Sequence, residues 1–369
     1  MNKYKICVYA VCKDEEQFVD RFMSTLNEAD LVVIGDTGST DKTVEYFKAN
    51  GAKVYNIPVI PWRFDKARNE LLKFIPEDID ICVALDVDEV INPGWRKCLE
   101  DAWTSTTTRA SYLYTWSFNP DGTPGVQFNQ HRFHSRHNYK WKYPTHEVLE
   151  YIGTAREEQV FVTGLKVDHF PDETKSRGFN VSLLELALEE NPNDCRNTNY
   201  LGREYMFLGR WNDSIETLKK YLSYENATWK DERCASMRWI ANSYHRLENK
   251  NEAYSWYYKA IAEVSTAREP YVEFAKMAYE YGDWSTVFFM VEAALTIKEK
   301  SNTYINMAYS WDYTLNDLGA ISCYELGLFD KSLAHAVAAL EMSPQDTRLK
   351  NNLEMIKNKV NTLGEEKQR

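Results

Sequence analysis

Long apolar runs are missing from this 369-residue chain. No stretch approaches the roughly 20 consecutive apolar residues that crossing a bilayer takes, which argues against a membrane-spanning helix. The opening string MNKYKICVYAVCKDEE reaches acidic residues too soon for a secretory signal, so a cytoplasmic location is expected. Paired-cysteine motifs are missing too. Cys7, Cys12, Cys82, Cys98, Cys195, Cys234 and Cys323 are odd in number, scattered and without a Cys-x-x-Cys. That pattern argues for reduced thiols and against a disulfide framework or zinc site. Positive charge is in deficit, with 44 Lys+Arg against 55 Asp+Glu and a net charge of −11 shared between the two halves. Such a balance disfavours non-specific binding to nucleic acid or anionic membranes. Neither Gly-x-Gly-x-x-Gly nor a P-loop occurs, which leaves a nicotinamide-dependent or ATPase reading without support. No Gly-rich activation loop follows the first apolar run, which disfavours a sugar nucleotidyltransferase.

What is present is globular: 44% hydrophobic and 14% aromatic residues over a length that suits two domains. Residues 1–173 alternate short apolar runs with amphipathic stretches. KICVYAVC, DLVVIGD, AKVYNIPV and IDICVALDVD read as strands. EEQFVDRFMSTLNEA, STDKTVEYFKANG and DKARNELLKFI read as the helices between them, with Ser39 or Thr40 as N-cap and Gly51 as terminator. Continuous apolar strands separated by helices predict an α/β domain, Rossmann-like, with a mostly parallel sheet covered on both faces. Ligands of such sheets bind beyond the carboxyl ends of the strands.

Residues 174–369 carry an all-α, tetratricopeptide-like repeat. Small residues Gly202, Ala275 and Ala320 each stand seven before Gly209, Gly282 and Gly327. Ala241 begins a further unit whose turn, LENKNEA, lacks the glycine. Twelve after each small residue come Ser214, Ala253, Val287 and Ser332; sixteen after come Leu218, Tyr257, Val291 and Ala336. Small residues let paired helices approach, and the larger ones fill the groove. Spacings of 39, 34 and 45 between units predict at least two longer loops. Four helix pairs are expected, with Pro344 near the close.

The chemistry concentrates in ICVALDVDEVI, where Asp86, Asp88 and Glu89 end a buried run. Like charges this close cost stability unless a cation or fixed donors compensate. A hard divalent cation, Mn²⁺ or Mg²⁺, shared with substrate phosphates is one answer. The other is that Asp86 and Asp88 cap a turn or the helix near Pro93. Asp36 likewise ends a strand ahead of small and hydroxyl residues, a layout suited to a nucleobase or ribose, or simply to a turn. The string HRFHSRHNYKWK packs basic, histidine and aromatic side chains together, compatible with nucleic-acid contacts or with a diphosphate-facing loop.

These strings together resemble the family 2 glycosyltransferases of the GT-A fold, in the cytosolic branch carrying C-terminal tetratricopeptide repeats, which includes peptide S-glycosyltransferases of bacteriocin pathways. KDEEQFVDRFMSTL resembles that group's Asn-Glu-Glu segment, with Asp14 in place of Asn. GDTGSTDKT, WRFDKARNELL, LDVDE and HRFHSRHNYKWKYPTHEVL match its later motifs, over about residues 5–172. The resemblance implies a metal-dependent inverting transfer from a nucleoside-diphosphate sugar, a UDP-sugar by preference. Donor contacts would come from Glu15, Asp36, Arg68, Asn69, Asp86 and Arg132. The metal would sit on Asp88, Asp86 and His169. Glu147, beside His146, would be the general base, with His146 as an alternative base or ligand. Trp62 and Trp141 would be available to stack on sugar faces. The acceptor would be a peptide, protein or glycan presented by the repeats, through which the chain could also pair as a homodimer. Two other readings stand beside this one: transfer to modified DNA, and a repeat scaffold with an inactive sugar-nucleotide domain.

Overall fold

The computed structural model describes residues 3–119, 121–172, 179–301 and 303–368. The chain divides into two compact units, Met1–Pro192 and Asn193–Arg369. The boundary expected between 173 and 174 lies outside the described residues.

In the first unit β1 (Ile6–Cys12), α1 (Val19–Ser24), β2 (Leu31–Asp36), α2 (Thr43–Ala49), β3 (Lys53–Asn56), α3 (Phe64–Leu72) and β4 (Ile81–Ala84) alternate in order. Then come β5 (Glu89–Ile91), α4 (Trp95–Ala102), β6 (Arg109–Thr115), β7 (Gln127–Ser135), β8 (Tyr139–Lys142), β9 (Val148–Tyr151), β10 (Gln159–His169) and α5 (Phe179–Glu190). Eight strands form one sheet in the order β3-β2-β1-β4-β7-β6-β10-β5. The β3-β2-β1-β4 half is parallel. Beyond β4 the sheet is mixed: β7 runs antiparallel to both neighbours, β10 is parallel to β6, and β5 is antiparallel on the edge. β8 and β9 form a separate two-stranded ribbon.

The period-2 alternation of β1 explains its apolar run. Ile6, Val8 and Ala10 enter one core with Phe22 and Phe47, while Cys7 and Tyr9 enter another with Ala67, Leu71 and Trp141. A strand buried on both faces cannot carry charge until it leaves the sheet. The first carboxylates therefore appear at the carboxyl edge, where Asp36 pairs in register with Cys12 and Asp86 follows β4. Helix α5 belongs to this unit, tied by Glu190 to Arg63 Nη2 at 3.2 Å.

The second unit is a run of helix pairs: α6 (Cys195–Phe207) with α7 (Trp211–Leu222), α8 (Lys230–Arg246) with α9 (Lys250–Glu263), α10 (Glu269–Glu280) with α11 (Trp284–Thr296), and α12 (Thr314–Glu325) with α13 (Phe329–Met342). A last helix, α14 (Thr347–Gln368), buries Leu353 and Ile356 in one cluster with Ala320 and Ala336. The repeat positions meet as their spacing predicts. Ser214 Oγ donates to the Gly202 carbonyl at 2.8 Å, and Ser332 Oγ to the Ala320 carbonyl at 2.7 Å. Gly209, Gly282 and Gly327 take positive φ between 65° and 73° at the turns. Glu248 fills that position in the unit without a glycine and is held at φ 59°. Among the described residues no helix is long and apolar enough to cross a membrane.

Candidate functional site

The loops after β1 and β2 interlock at the carboxyl edge of the sheet. Asp14, at φ 51°, donates its N–H to Ser39 Oγ at 2.9 Å and accepts from Thr40 N at 2.7 Å. Aspartate tolerates the left-handed region almost as asparagine does, so Asp14 can hold this turn. Glu16 accepts from Lys42 N at 2.8 Å, and Glu15 N–H donates to Thr43 Oγ1 at 2.7 Å. The capping of α2 differs from expectation. Neither Ser39 nor Thr40 caps it, because both face Asp14; Asp41 accepts from Thr43 N at 3.0 Å instead. Asp36, expected on a nucleobase, accepts from Gly38 N at 3.2 Å and Ser39 N at 3.1 Å. It is buried and shapes its own turn.

Four of the residues singled out from the sequence converge in one ion-pair network. Arg68, 1% exposed, donates from Nη2 to Asp86 Oδ1 at 2.5 Å and from Nε to Glu147 Oε1 at 2.7 Å. Arg132 donates from Nη1 to Asp86 Oδ2 at 2.7 Å and from Nη2 to Glu89. Glu89, fully buried, also accepts from Tyr114 OH at 2.8 Å and from Asp86 N at 2.9 Å. Burial would raise the Asp86 carboxyl, but the two guanidiniums outweigh it and hold it well below the usual carboxylate range. Burial dominates at Glu89 and pushes it up despite Arg132. Three carboxylates face two arginines here, and Arg68 Nη1 and Arg132 Nε are buried N–H groups with no partner among the described residues. Buried guanidinium donors left over in this way are suited to anionic oxygens.

Asp88 and His169 form a second group. His169 Nε2 lies 3.3 Å from Asp88 Oδ2, while Nδ1 donates to the Trp116 carbonyl at 3.2 Å. That backbone bond fixes the ring so that Nε2 is the nitrogen presented, the arrangement a ligating histidine needs. Burial would lower His169, but the bond to Asp88 outweighs it and raises the imidazole. Asp86, expected beside them on the cation, spends both oxygens on arginines. Among the described residues no group of three His, Cys, Asp or Glu is arranged to hold a metal ion. One oxygen and one nitrogen donor this close do fit a small divalent cation whose other positions are filled by substrate phosphates and water.

The remaining expected residues have structural partners. Asn69 Nδ2 donates to the Trp141 carbonyl and its Oδ1 accepts from Trp141 N, both at 2.8 Å, so it clamps β8 instead of facing a donor. Trp141 is 2% exposed, which rules out stacking on a sugar. Its indole lies under the Arg68 guanidinium at 4.7 Å. Trp62 packs edge-on against Phe64. His146, at φ 49°, stands on the bend that sets Glu147 just ahead of β9. The basic string 131–142 is neutralised internally. Arg132 meets Asp86 and Glu89, Arg136 meets Glu77, and Lys140 and Lys142 both meet Glu150. That internal pairing weighs against a surface built for nucleic-acid phosphates.

Sequence reasoning gave no separate role to Glu89 and missed Tyr9 and His134. Trp141 Nε1 donates to Tyr9 OH at 2.9 Å, Tyr9 OH donates to His134 Nε2 at 2.8 Å, and His134 Nδ1 donates to the Ser135 carbonyl at 2.7 Å. The signal available was a tyrosine inside an otherwise apolar strand, whose hydroxyl requires a buried partner.

No family model matches the chain, and no curated protein matches it. Solved structures similar to it include MamA, 19% identical over 45% of this chain and 87% of that chain with a TM-score of 0.37. A thermophilic tetratricopeptide protein of Thermus thermophilus, TTC0263, is 19% identical over 48% of this chain and 88% of that one, with a TM-score of 0.34. Glucosyl-3-phosphoglycerate synthase from Mycobacterium tuberculosis, solved with Mn²⁺, UDP and glucosyl-3-phosphoglycerate, is 23% identical over 30% of this chain and 44% of that one, with a TM-score of 0.27. Likenesses this distant add nothing to the geometry above.

Proposed function

We propose that the first unit is a GT-A-type glycosyltransferase moving a sugar from a nucleoside-diphosphate donor with inversion, and that the helical unit presents the acceptor. The observation that carries this reading is Arg68, buried and ion-paired to both Asp86 and Glu147 at the carboxyl edge of the parallel strands, with its Nη1 amino group left over. The unused donors of Arg68 and Arg132 suit the diphosphate. Asp88 and His169 would hold Mn²⁺ or Mg²⁺, which when bound offsets charge developing on the departing diphosphate. Glu147, oriented through Oε1 by Arg68, offers its second oxygen to accept a proton from the attacking acceptor. Glu15, Asp36 and Asn69 act on this reading by fixing the loops and ribbon around the donor.

The test is incubation of the full chain with a panel of nucleotide sugars and Mn²⁺, reading released nucleotide against the Asp88→Ala chain. Release by the native chain alone supports the proposal. Neither release nor calorimetric binding of any sugar nucleotide would overturn it and favour a scaffold.

A further inference from the structure

Strand β5 is only three residues long, and its rungs with β10 pair Ile91 with Val167, Val90 with Asp168 and Glu89 with His169. One more hydrogen bond follows, from Phe170 N–H to the Asp88 carbonyl at 2.9 Å. Asp88 and His169 thus stand where a short edge ladder ends and both backbones leave the sheet. Such ends fray readily. Here fraying would separate two side chains that lie 3.3 Å apart.

Helix α1 closes this end. Arg21 Nη2 donates to the Phe170 carbonyl at 3.3 Å and to the Asp88 carbonyl at 3.5 Å. One amino group therefore bridges the two segments that carry the pair. The guanidinium lies over two rings, 4.8 Å from the centre of Phe18 and 5.1 Å from that of Phe170. Phe170 in turn stacks on Phe118, with ring centres 5.1 Å apart and planes within 6°. The Arg21 Nε is buried and has no partner among the described residues. His169 is then fixed from two directions, its ring by the Trp116 carbonyl and the backbone just after it by Arg21.

We infer that Arg21 is a positioning residue for the Asp88–His169 pair, holding the two donors at the spacing that a shared divalent cation needs. It would set the affinity of the chain for Mn²⁺ without being a ligand. The inference rests on the cation site proposed above. Charge and position act in opposite directions at Arg21. Removing a positive side chain beside a cation site would, by Coulomb attraction alone, tighten metal binding. Weaker binding has the sign that lost positioning gives, and outer partners of metal ligands are typically worth about 10- to 100-fold.

Arg96 on α4 is the natural comparison. It also bridges backbone carbonyls, donating to Glu28 from Nη1 and to Tyr4 from Nη2, both at 2.6 Å. Those carbonyls precede β2 and β1, at the opposite, amino edge of the sheet.

The experiment titrates Mn²⁺ into the native, Arg21→Met and Arg96→Met full chains by electron paramagnetic resonance, with thermal melts and hydrogen exchange at the Phe170 amide. Arg21→Met is expected to weaken Mn²⁺ binding about tenfold and to speed Phe170 exchange about tenfold. Arg96→Met is expected to lower the melting temperature while leaving Mn²⁺ affinity and Phe170 exchange native. Native or tighter binding by Arg21→Met overturns the inference, as does equal weakening by Arg96→Met, which would mean general loosening. Should the native chain bind no Mn²⁺, the cation site itself fails and Phe170 exchange decides the rest. Faster exchange in Arg21→Met then still supports Arg21 as the holder of the Asp88–His169 pair, and unchanged exchange overturns it. Should Arg21→Met not fold, Arg21→Lys, whose side chain is one bond shorter, takes its place under the same two readouts.

Discussion

Arg68 joins the loop after β4 to the turn before β9, because one guanidinium donates to Asp86 at 2.5 Å and to Glu147 at 2.7 Å. A lysine ammonium is a point charge and cannot reproduce this fork. Arg68→Lys is therefore expected to lower donor turnover about 100-fold while leaving circular dichroism native. Arg68→Ala removes the positive charge held between two carboxylates. Loss of one partner from a buried pair costs about 3–5 kcal/mol, and the lower end applies because the Asp86 side chain keeps 39% exposure. Urea unfolding measures it, and unchanged stability would show that the network does not form in solution.

On the proposed function Asp88 would hold the metal with His169, while Asp86 is bonded to the two arginines. Asp88→Ala should weaken Mn²⁺ binding about 10- to 100-fold by electron paramagnetic resonance titration, with little effect on stability. Asp86→Asn should do the reverse, since Asp86 is bonded to Arg68 and Arg132 and not to the Asp88–His169 pair. Equal loss of Mn²⁺ in both variants would return Asp86 to the ligand set.

The parallel half of the sheet was legible because its strands are buried on both faces and so read as unbroken apolar runs. The same rule marked the carboxyl edge, where Asp36, Asp86 and Asp88 first appear. The antiparallel half was not legible: β7 carries Arg132 and His134, whose charge and hydrogen bonds are satisfied by Glu89 and Tyr9, distant in sequence. Pairing partners also decided the roles. Asn69 and Asp36 have the right chemistry for a donor, yet each is engaged by backbone groups that only folding brings near. In the repeats the contacts that pair each two helices are local, so the spacing of Gly202, Ser214 and Leu218 was sufficient for the pairing.

The buried chain Trp141–Tyr9–His134 has a pH signature. Burial pushes the His134 imidazole down to about 3. The unfolded chain, with a histidine near 6.5, then binds the extra proton first as pH falls, so stability drops between about 6.5 and about 3. The slope is about 1.4 kcal/mol per pH unit. His134→Asn should flatten the dependence by about 2 kcal/mol between pH 6 and pH 4.5, a range above most carboxylate titrations. Tyr9→Phe should cost about 2 kcal/mol at any pH in that range, because it strands the Trp141 N–H and the His134 Nε2. Parallel stability curves for native and His134→Asn chains would refute the buried neutral histidine.

Glycine exchanges in the repeats test the helix-pair geometry with opposite signs. Glu248 is held at φ 59° where the other units place glycine, and a side chain there is strained by about 1 kcal/mol. Glu248→Gly should therefore raise stability by about 0.5–1 kcal/mol, the gain reduced by the greater freedom of the unfolded chain. At Gly202 helix propensity alone favours alanine by about 1 kcal/mol. A Cβ there would lie 2.6 Å from Leu218 Cγ and 3.3 Å from its backbone N, however, so α6 and α7 would have to separate. Overpacking of this kind costs about 1–3 kcal/mol and should win, making Gly202→Ala destabilising despite the better helix former. Thermal melts of the two variants give both signs directly, and a stabilised Gly202→Ala chain would mean the pair is not packed this closely.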